Sequence, residues 1–125
     1  MRQVPDKIIR IGGASGFWGE SAIATPQLLG AGVDYLVYDY LAEITMSIMA
    51  RAHARDPAAG FAGDFISAVL KPHAKAIAAQ GVKVIANAGG VNPASCGKAA
   101  RALIKEQGLD LKVAVITGDN LLADV

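Results

Sequence analysis

The sequence contains one cysteine, one tryptophan and no excess of either charge among its 125 residues. A single cysteine excludes an internal disulfide and a zinc site built from several cysteines, so we expect a reducing, cytoplasmic setting. The 12 basic and 11 acidic residues give a formal net charge of +1. Because this balance provides no basic patch, we expect neither nucleic acid nor an anionic membrane as the main partner.

Long apolar runs are also absent, although 53% of the residues are hydrophobic. No run approaches the roughly 18 residues that a membrane-spanning helix needs. Residues 1–7 lack the apolar centre of a signal peptide. The length suffices for one domain with a hydrophobic core, and we interpret residues 1–125 as a single α/β domain.

Four short apolar runs are typical of strands, and each is followed by glycine, asparagine or aspartate. They cover about residues 7–11, 33–38, 82–86 and 112–117, and segments of helical spacing separate them. This alternation predicts a Rossmann-like parallel sheet of about four strands with helices on both faces. Parallel sheets bind ligands at the carboxyl ends of their strands, so we expect the four following loops to form one site.

Start and stop signals place several helix ends. Asp64 is in position to begin a helix that Gly81 would end in a left-handed conformation. Asn92 followed by proline predicts the start of another helix, with the asparagine as its cap. Cys96 lies on the apolar stripe of that helix, so we expect it to be buried.

The predicted sheet is incomplete. After Gly118-Asp119-Asn120 a helix covering the sheet is expected, but only residues 121–125 follow. A four-stranded parallel sheet without that helix would expose an apolar face or edge. We therefore expect this chain to be the amino-terminal part of a longer domain, or to assemble as a homo-oligomer.

A glycine-rich segment, Gly12-Gly13-Ala14-Ser15-Gly16, follows the first predicted strand. Its backbone N–H groups could contact an anion, which makes Gly13 and Ser15 candidate substrate-binding residues. Nearby Trp18 could form the wall of an acyl pocket, or simply pack in the core. The segment lacks the first glycine of the dinucleotide fingerprint, so nucleotide binding and a tightly packed turn remain alternatives.

Three acidic residues follow or lie close to predicted strand ends. Asp39, Glu43 and Asp119 are candidate acid–base catalysts, and carboxylates of this kind could also hold a divalent metal. The structural alternative is that Asp39 caps a helix while Glu43 interacts with its dipole. Asp119 could equally be a turn residue.

The loop Asn87-Ala88-Gly89-Gly90-Val91-Asn92-Pro93 is the most unusual segment. The amide of Asn87 could contact a substrate, and Gly89 and Gly90 permit close approach of the backbone. Asn92 begins a helix whose N–H groups could stabilise an oxyanion, although it is also a plausible cap. We therefore consider all four polar or glycine positions candidate substrate-binding residues.

Four segments together resemble one protein family. They are residues 11–21 (IGGASGFWGES), 39–47 (DYLAEITMS), 87–93 (NAGGVNP) and 115–120 (VITGDN). In this order and spacing they resemble the acyclic terpene utilisation AtuA-like family. The resemblance covers nearly the whole chain, from about Lys7 onward.

The resemblance implies an α/β domain of a longer bacterial-type protein in citronellol and geraniol catabolism through coenzyme A thioesters. It further implies lyase-like action on a branched 3-hydroxyglutaryl-CoA thioester, without assigning any catalytic residue. A coenzyme A thioester substrate and a divalent metal are both compatible with the sequence. The alternatives are a nucleotide-binding module and a non-catalytic assembly subunit.

Overall fold

The computed structural model describes residues 6–125, and these form an α/β unit around a three-stranded parallel sheet. None of the helices in this range is both long and apolar enough to cross a bilayer. The elements, in chain order, are β1 (Ile11–Ser15), α1 (Ala24–Gly30), β2 (Tyr35–Tyr38), α2 (Glu43–Arg55), a π-helical turn (Phe65–Leu70), α3 (Lys71–Gln80), β3 (Lys83–Ala86), α4 (Pro93–Glu106) and a 3₁₀ turn (Leu122–Asp124).

The sheet has the order β1-β2-β3, and both pairings are parallel. In the register, Tyr35 lies opposite Ile11 on one side and Lys83 on the other, while Tyr38 pairs with Ala86. The predicted α/β class and parallel sheet are thus confirmed. Because all strands point the same way, their carboxyl ends meet at one edge.

The first strand lies later in the chain than expected. Residues 7–11 were predicted as the strand and the following glycines as a turn, but Gly12 and Gly13 lie within β1. A Cβ on Gly12 would come 2.9 Å from Cδ1 of Leu28 in α1. Glycine here allows close packing of the strand against the helix. The turn expected at Gly12 and Gly13 is wrong, and anion contacts by Gly13 and Ser15 stay predictions.

The expected fourth strand is also wrong, because residues 112–117 pair with no strand. Their side chains alternate between half-buried and exposed, as those of a strand would. The segment instead lies against α4. Nη2 of Arg101 donates a hydrogen bond to the carbonyl of Val113 at 2.9 Å, and a Cβ on Gly97 would collide with Val115.

Two helix ends follow the expected chemistry. Gly81 ends α3 with φ of 66°, in the left-handed region that glycine adopts without strain. Asn92 precedes α4, and its side chain accepts a hydrogen bond from the amide of Ser95 at 3.3 Å. Asp64 lies just before the π-helical turn but makes no capping hydrogen bond with its side chain.

The two faces of the sheet differ in burial. The core lies on the face formed by Gly12, Ala14, Leu36 and Tyr38, all of which are buried. The opposite face remains open to solvent, with Ile11 67% and Ile85 56% exposed. This confirms the expectation that an apolar face of the sheet would be left uncovered.

Candidate functional site

Hydrogen bonds join the carboxyl ends of the three strands. The amide of Asp39, after β2, donates to the carbonyl of Ser15 at 3.0 Å. The side chain of Asn87, after β3, donates from Nδ2 to Oδ1 of Asp39 at 2.7 Å. Its Oδ1 accepts from the amide of Tyr40, also at 2.7 Å. The structure therefore brings together Ser15, Asp39 and Asn87, three of the residues expected at this edge.

These contacts correct the expected local structure around Asp39. Asp39 does not cap α2, because that helix begins at Glu43 with Ala42 in the cap position. The hydroxyl of Thr45 takes over the capping role by accepting from the amide of Ala42 and donating to its carbonyl. Asp39 and Glu43 consequently do not share a helix face. The Asn87 side-chain amide joins the loop after β3 to the loop after β2. Its contact with a substrate remains a prediction.

Asp119 is not linked to this network. It is exposed and follows the extended segment against α4, and its side chain makes no hydrogen bond with any residue in the range 6–125. Within that range, no group of three or more histidine, cysteine, aspartate or glutamate side chains could hold a metal ion. Asp39, Glu43 and Asp119 therefore do not form the metal site considered from the sequence.

The loop between β3 and α4 is a packing junction. A Cβ on Gly89 would come 2.8 Å from Cα of Pro93. Gly90 has φ of 55°, and a Cβ there would lie 2.7 Å from the carbonyl oxygen of Gly60 and collide with Met49. Close packing alone explains both glycines, so their contact with a substrate stays a prediction.

The Asn92 side chain is hydrogen-bonded within the same junction. It is 8% exposed, and Nδ2 donates to the carbonyls of Pro57 and Ala59, each at 2.9 Å. Together with the cap to Ser95, these bonds engage both ends of its amide. The structural alternative considered for Asn92, a helix cap, is confirmed.

A cavity of about 170 Å³ adjoins the end of β1, and the sequence did not indicate it. We call it the Tyr40 pocket. Its floor is apolar and aromatic, whereas its rim carries hydroxyl and carboxylate groups. The polar side chains that line it are Ser15, Glu20, Ser21, Tyr38, Tyr40 and Asp64, and the others are Ala14, Gly19, Ala22, Ala68 and Val69.

Trp18 positions one carboxylate of this pocket. Its indole Nε1 donates to Oδ1 of Asp64 at 2.7 Å, across 46 residues of sequence. The amide of Trp18 also donates to the carbonyl of Tyr40 at 3.1 Å. Trp18 was expected to wall a pocket or pack in the core. It packs against the core without lining this pocket, and its indole orients Asp64.

The two tyrosines of the pocket differ in their hydrogen bonds. The Tyr38 hydroxyl lies 2.7 Å from the hydroxyl of Thr25, and both residues are buried. Tyr40 is only 4% exposed, yet its hydroxyl makes no hydrogen bond with the described part of the chain. Burial, followed by the nearby charge of Asp64, raises the pKa of the Tyr40 hydroxyl above its ordinary value. Tyr40 is therefore a protonated donor at neutral pH.

Comparison with known proteins identifies the family. No curated protein and no solved structure matches this chain. The family described as acyclic terpene utilisation family protein AtuA matches residues 9–125, which is nearly the whole sequence. The chain therefore belongs to the acyclic terpene utilisation family AtuA.

Proposed function

We propose that this chain is the amino-terminal α/β part of a cytoplasmic enzyme of acyclic terpenoid catabolism, of the citronellol and geraniol type. Its reaction would be a lyase-like cleavage of a branched 3-hydroxyglutaryl-CoA thioester. The observation that carries this proposal is the joined edge of the sheet, where Ser15, Asp39 and Asn87 meet next to the Tyr40 pocket. Family membership supports the pathway.

Such a cleavage makes two demands on a site. A base must take the proton of the 3-hydroxyl group, whose oxygen becomes a carbonyl as the neighbouring carbon–carbon bond breaks. The electron pair of that bond passes into an enolate, which hydrogen-bond donors stabilise until its carbon is protonated. Glu20, Asp39 and Asp64 are carboxylates at this edge, and Glu20 accepts a hydrogen bond from the amide of Gly16. We propose that Asp39 or Asp64 is the base.

Catalytic roles for the two other acids, Glu43 and Asp119, have less structural support. Glu43 begins α2 and Asp119 is exposed on the segment against α4, so neither is tied to the edge by a hydrogen bond. Their catalytic roles stay predictions. The uncovered sheet face supports the proposal that protein outside these residues completes the enzyme.

Turnover of coenzyme A thioesters tests this function. We expect the protein to cleave a 3-hydroxyglutaryl-CoA carrying a branched apolar substituent at C3, with products identified by mass spectrometry. Asp39→Asn and Asp64→Asn should each remove a carboxylate from the edge, and the one that is the base should lower kcat at least 100-fold. Asp110→Asn is the matched control, because Asp110 is exposed and away from the pocket lining. Absence of product, or equal rates in all three variants, would contradict the proposal.

Assembly without catalysis is a second candidate, because the open sheet face presents Ile11 and Ile85 to solvent. Exposed apolar patches of this kind are typical of protein interfaces. Light scattering of the wild type and of Ile85→Lys tests it. A mass above the monomer that the lysine variant lacks would favour assembly through this face.

The structure around Gly12 and Gly13 does not support nucleotide binding. The motif required a glycine turn between a strand and a helix, but Gly12 and Gly13 lie inside β1 and α1 begins only at Ala24. The phosphate of a dinucleotide needs N–H groups at such a turn.

A further inference from the structure

The geometry points to the Tyr40 pocket as a binding site for a small neutral alcohol group, with the Tyr40 hydroxyl as donor and the Asp64 carboxylate as acceptor. This inference deepens the proposed function, on which it rests for the idea that the pocket serves a substrate. It also implies that the anionic parts of that substrate, its phosphates and carboxylate, bind elsewhere.

The first step is the uncommitted hydroxyl of Tyr40. The hydroxyl of Tyr38, the other tyrosine of the pocket, already has a hydrogen-bond partner in Thr25. The Tyr40 side chain is only 4% exposed and lines the pocket, and its hydroxyl has no partner among residues 6–125. The hydroxyl oxygen itself is not a fully buried atom, so it is accessible from the pocket. A ligand oxygen in the pocket would satisfy this donor.

The second step is the carboxylate of Asp64. Trp18 engages Oδ1 at 2.7 Å and so fixes the orientation of the group, while no other hydrogen bond within the described chain involves this side chain. A carboxylate has two oxygens and accepts several hydrogen bonds. An alcohol offers both an acceptor for Tyr40 and a donor for Asp64, which a carboxylate or phosphate ligand does not.

The third step is the charge around the cavity. Its lining includes the carboxylates Glu20 and Asp64 but no lysine, arginine or histidine. An anionic ligand would lose its hydration and meet like charges, which disfavours binding on both counts. A neutral ligand avoids the repulsion, and the aromatic floor suits its hydrocarbon part. Tyr38 and Tyr40 line this floor with ring centroids 5.9 Å apart, and Phe65 packs against both rings without lining the pocket.

The fourth step is size. The cavity of about 170 Å³ has room for roughly six water-sized groups, since each water in the liquid occupies about 30 Å³. That matches a branched alcohol of about five carbon atoms. A whole coenzyme A or nucleotide does not fit, so only one end of a larger substrate enters.

A titration followed by amide chemical shifts in two-dimensional NMR tests this pocket. The probes are 2-methyl-2-butanol, which is neutral, and 2,2-dimethylpropanoate, a similarly branched anion, at equal pH and ionic strength. We expect the alcohol to shift the amides of Ser15, Ser21, Tyr40 and Asp64 in a saturable way. The carboxylate should leave them unchanged.

Three variants separate the contributions. Tyr40→Phe removes only the hydroxyl and should weaken alcohol binding at least fivefold, whereas the control Tyr35→Phe, at the start of β2, should bind like the wild type. Asp64→Asn keeps an acceptor but removes one of the two negative charges of the lining, so the carboxylate probe should bind it more tightly than it binds the wild type. The Asp64→Asn variant keeps the test decisive if Tyr40→Phe folds poorly.

Several results would overturn the inference. One is that neither probe shifts these amides in the wild type, and another is that the carboxylate shifts them as strongly as the alcohol does. A third is that Tyr40→Phe binds the alcohol as tightly as the wild type. Failure of the proposed function is separate: a protein that binds the alcohol but cleaves no thioester retains this pocket and loses the lyase activity.

Discussion

The two faces of the sheet are built by the same three strands yet have opposite surroundings. On the covered face, Leu36 is completely buried, whereas Ile85 on the open face is 56% exposed. Neighbours in sequence therefore belong to different environments. The residues in register on the covered face are Gly12, Leu36 and Val84, and those on the open face are Gly13, Val37 and Ile85.

The difference shows that apolar character alone does not locate the core of this chain. Both faces are lined by aliphatic residues, as is typical of a parallel sheet that is covered on both sides. Helix α1 contacts both β1 and α3, so these two helices pack together on the covered side. The open face keeps the composition of a buried surface, yet Ile11 and Ile85 on it are more than half exposed.

The largest expected effect on stability comes from truncating the side chains of two adjacent β2 residues to alanine. Leu36→Ala should lower the free energy of unfolding by about 3 kcal/mol, because a fully buried leucine loses both its transfer energy and its packing. Val37→Ala, on the half-exposed open side, should cost about 1 kcal/mol. Urea denaturation monitored by circular dichroism measures both. Equal losses would show that the open face is covered in solution.

A smaller effect should appear at alkaline pH through Cys96, which α4 places on the buried side. Burial raises the pKa of its thiol from 9.0 to about 11. Between these values the unfolded chain has released a proton that the folded chain retains, so stability should fall as pH rises through this window. The slope is at most about 1.4 kcal/mol per pH unit for one proton.

The variant Cys96→Ala should lose this part of the alkaline decline, as seen by denaturation at pH 8, 9, 10 and 11. A cysteine on the open face provides the matched control. Ile85→Cys in the Cys96→Ala background should add no decline, because an exposed thiol titrates alike in both states. A wild type as insensitive as Cys96→Ala would contradict the burial of this thiol.

Much of the fold could be predicted because local chemistry dictated it. Gly81 ends α3 since only glycine adopts its left-handed conformation without strain, and Asn92-Pro93 begins α4 by capping and by a fixed φ. The apolar runs at β2 and β3 were placed within two residues of their observed bounds. These signals depend only on residues that are close together in the sequence.

The errors arose where tertiary contacts gave a residue another role. The glycines of β1 indicated a turn, but Gly12 is small because Leu28 packs against it. Residues 112–117 have the pattern of a strand, yet Arg101 engages the carbonyl of Val113 and the segment pairs with no strand. Both outcomes depend on partners at least 12 residues away along the chain.

The candidate site was predicted only in part for the same reason. Ser15, Asp39 and Asn87 converge because parallel strands align their carboxyl ends, which the alternating pattern already implied. Asp64 was interpreted as a cap, and nothing in the sequence indicated its bond to Trp18, 46 residues earlier. Tyr40 directly follows Asp39 after β2. Its place just beyond a strand end was the one signal in the sequence for its role in the pocket.

The smallest expected effect compares the two glycines of β1. Gly12→Ala should cost about 1 kcal/mol, because its Cβ would approach Leu28 and the flexible end of that side chain must move. Gly13→Ala meets nothing within 4 Å and should stabilise the fold by about 0.5 kcal/mol through the unfolded chain. Thermal and urea denaturation of the two variants measure the difference. Since both substitutions restrict the unfolded chain equally, a destabilised Gly13→Ala would reveal a neighbour packed on the open face.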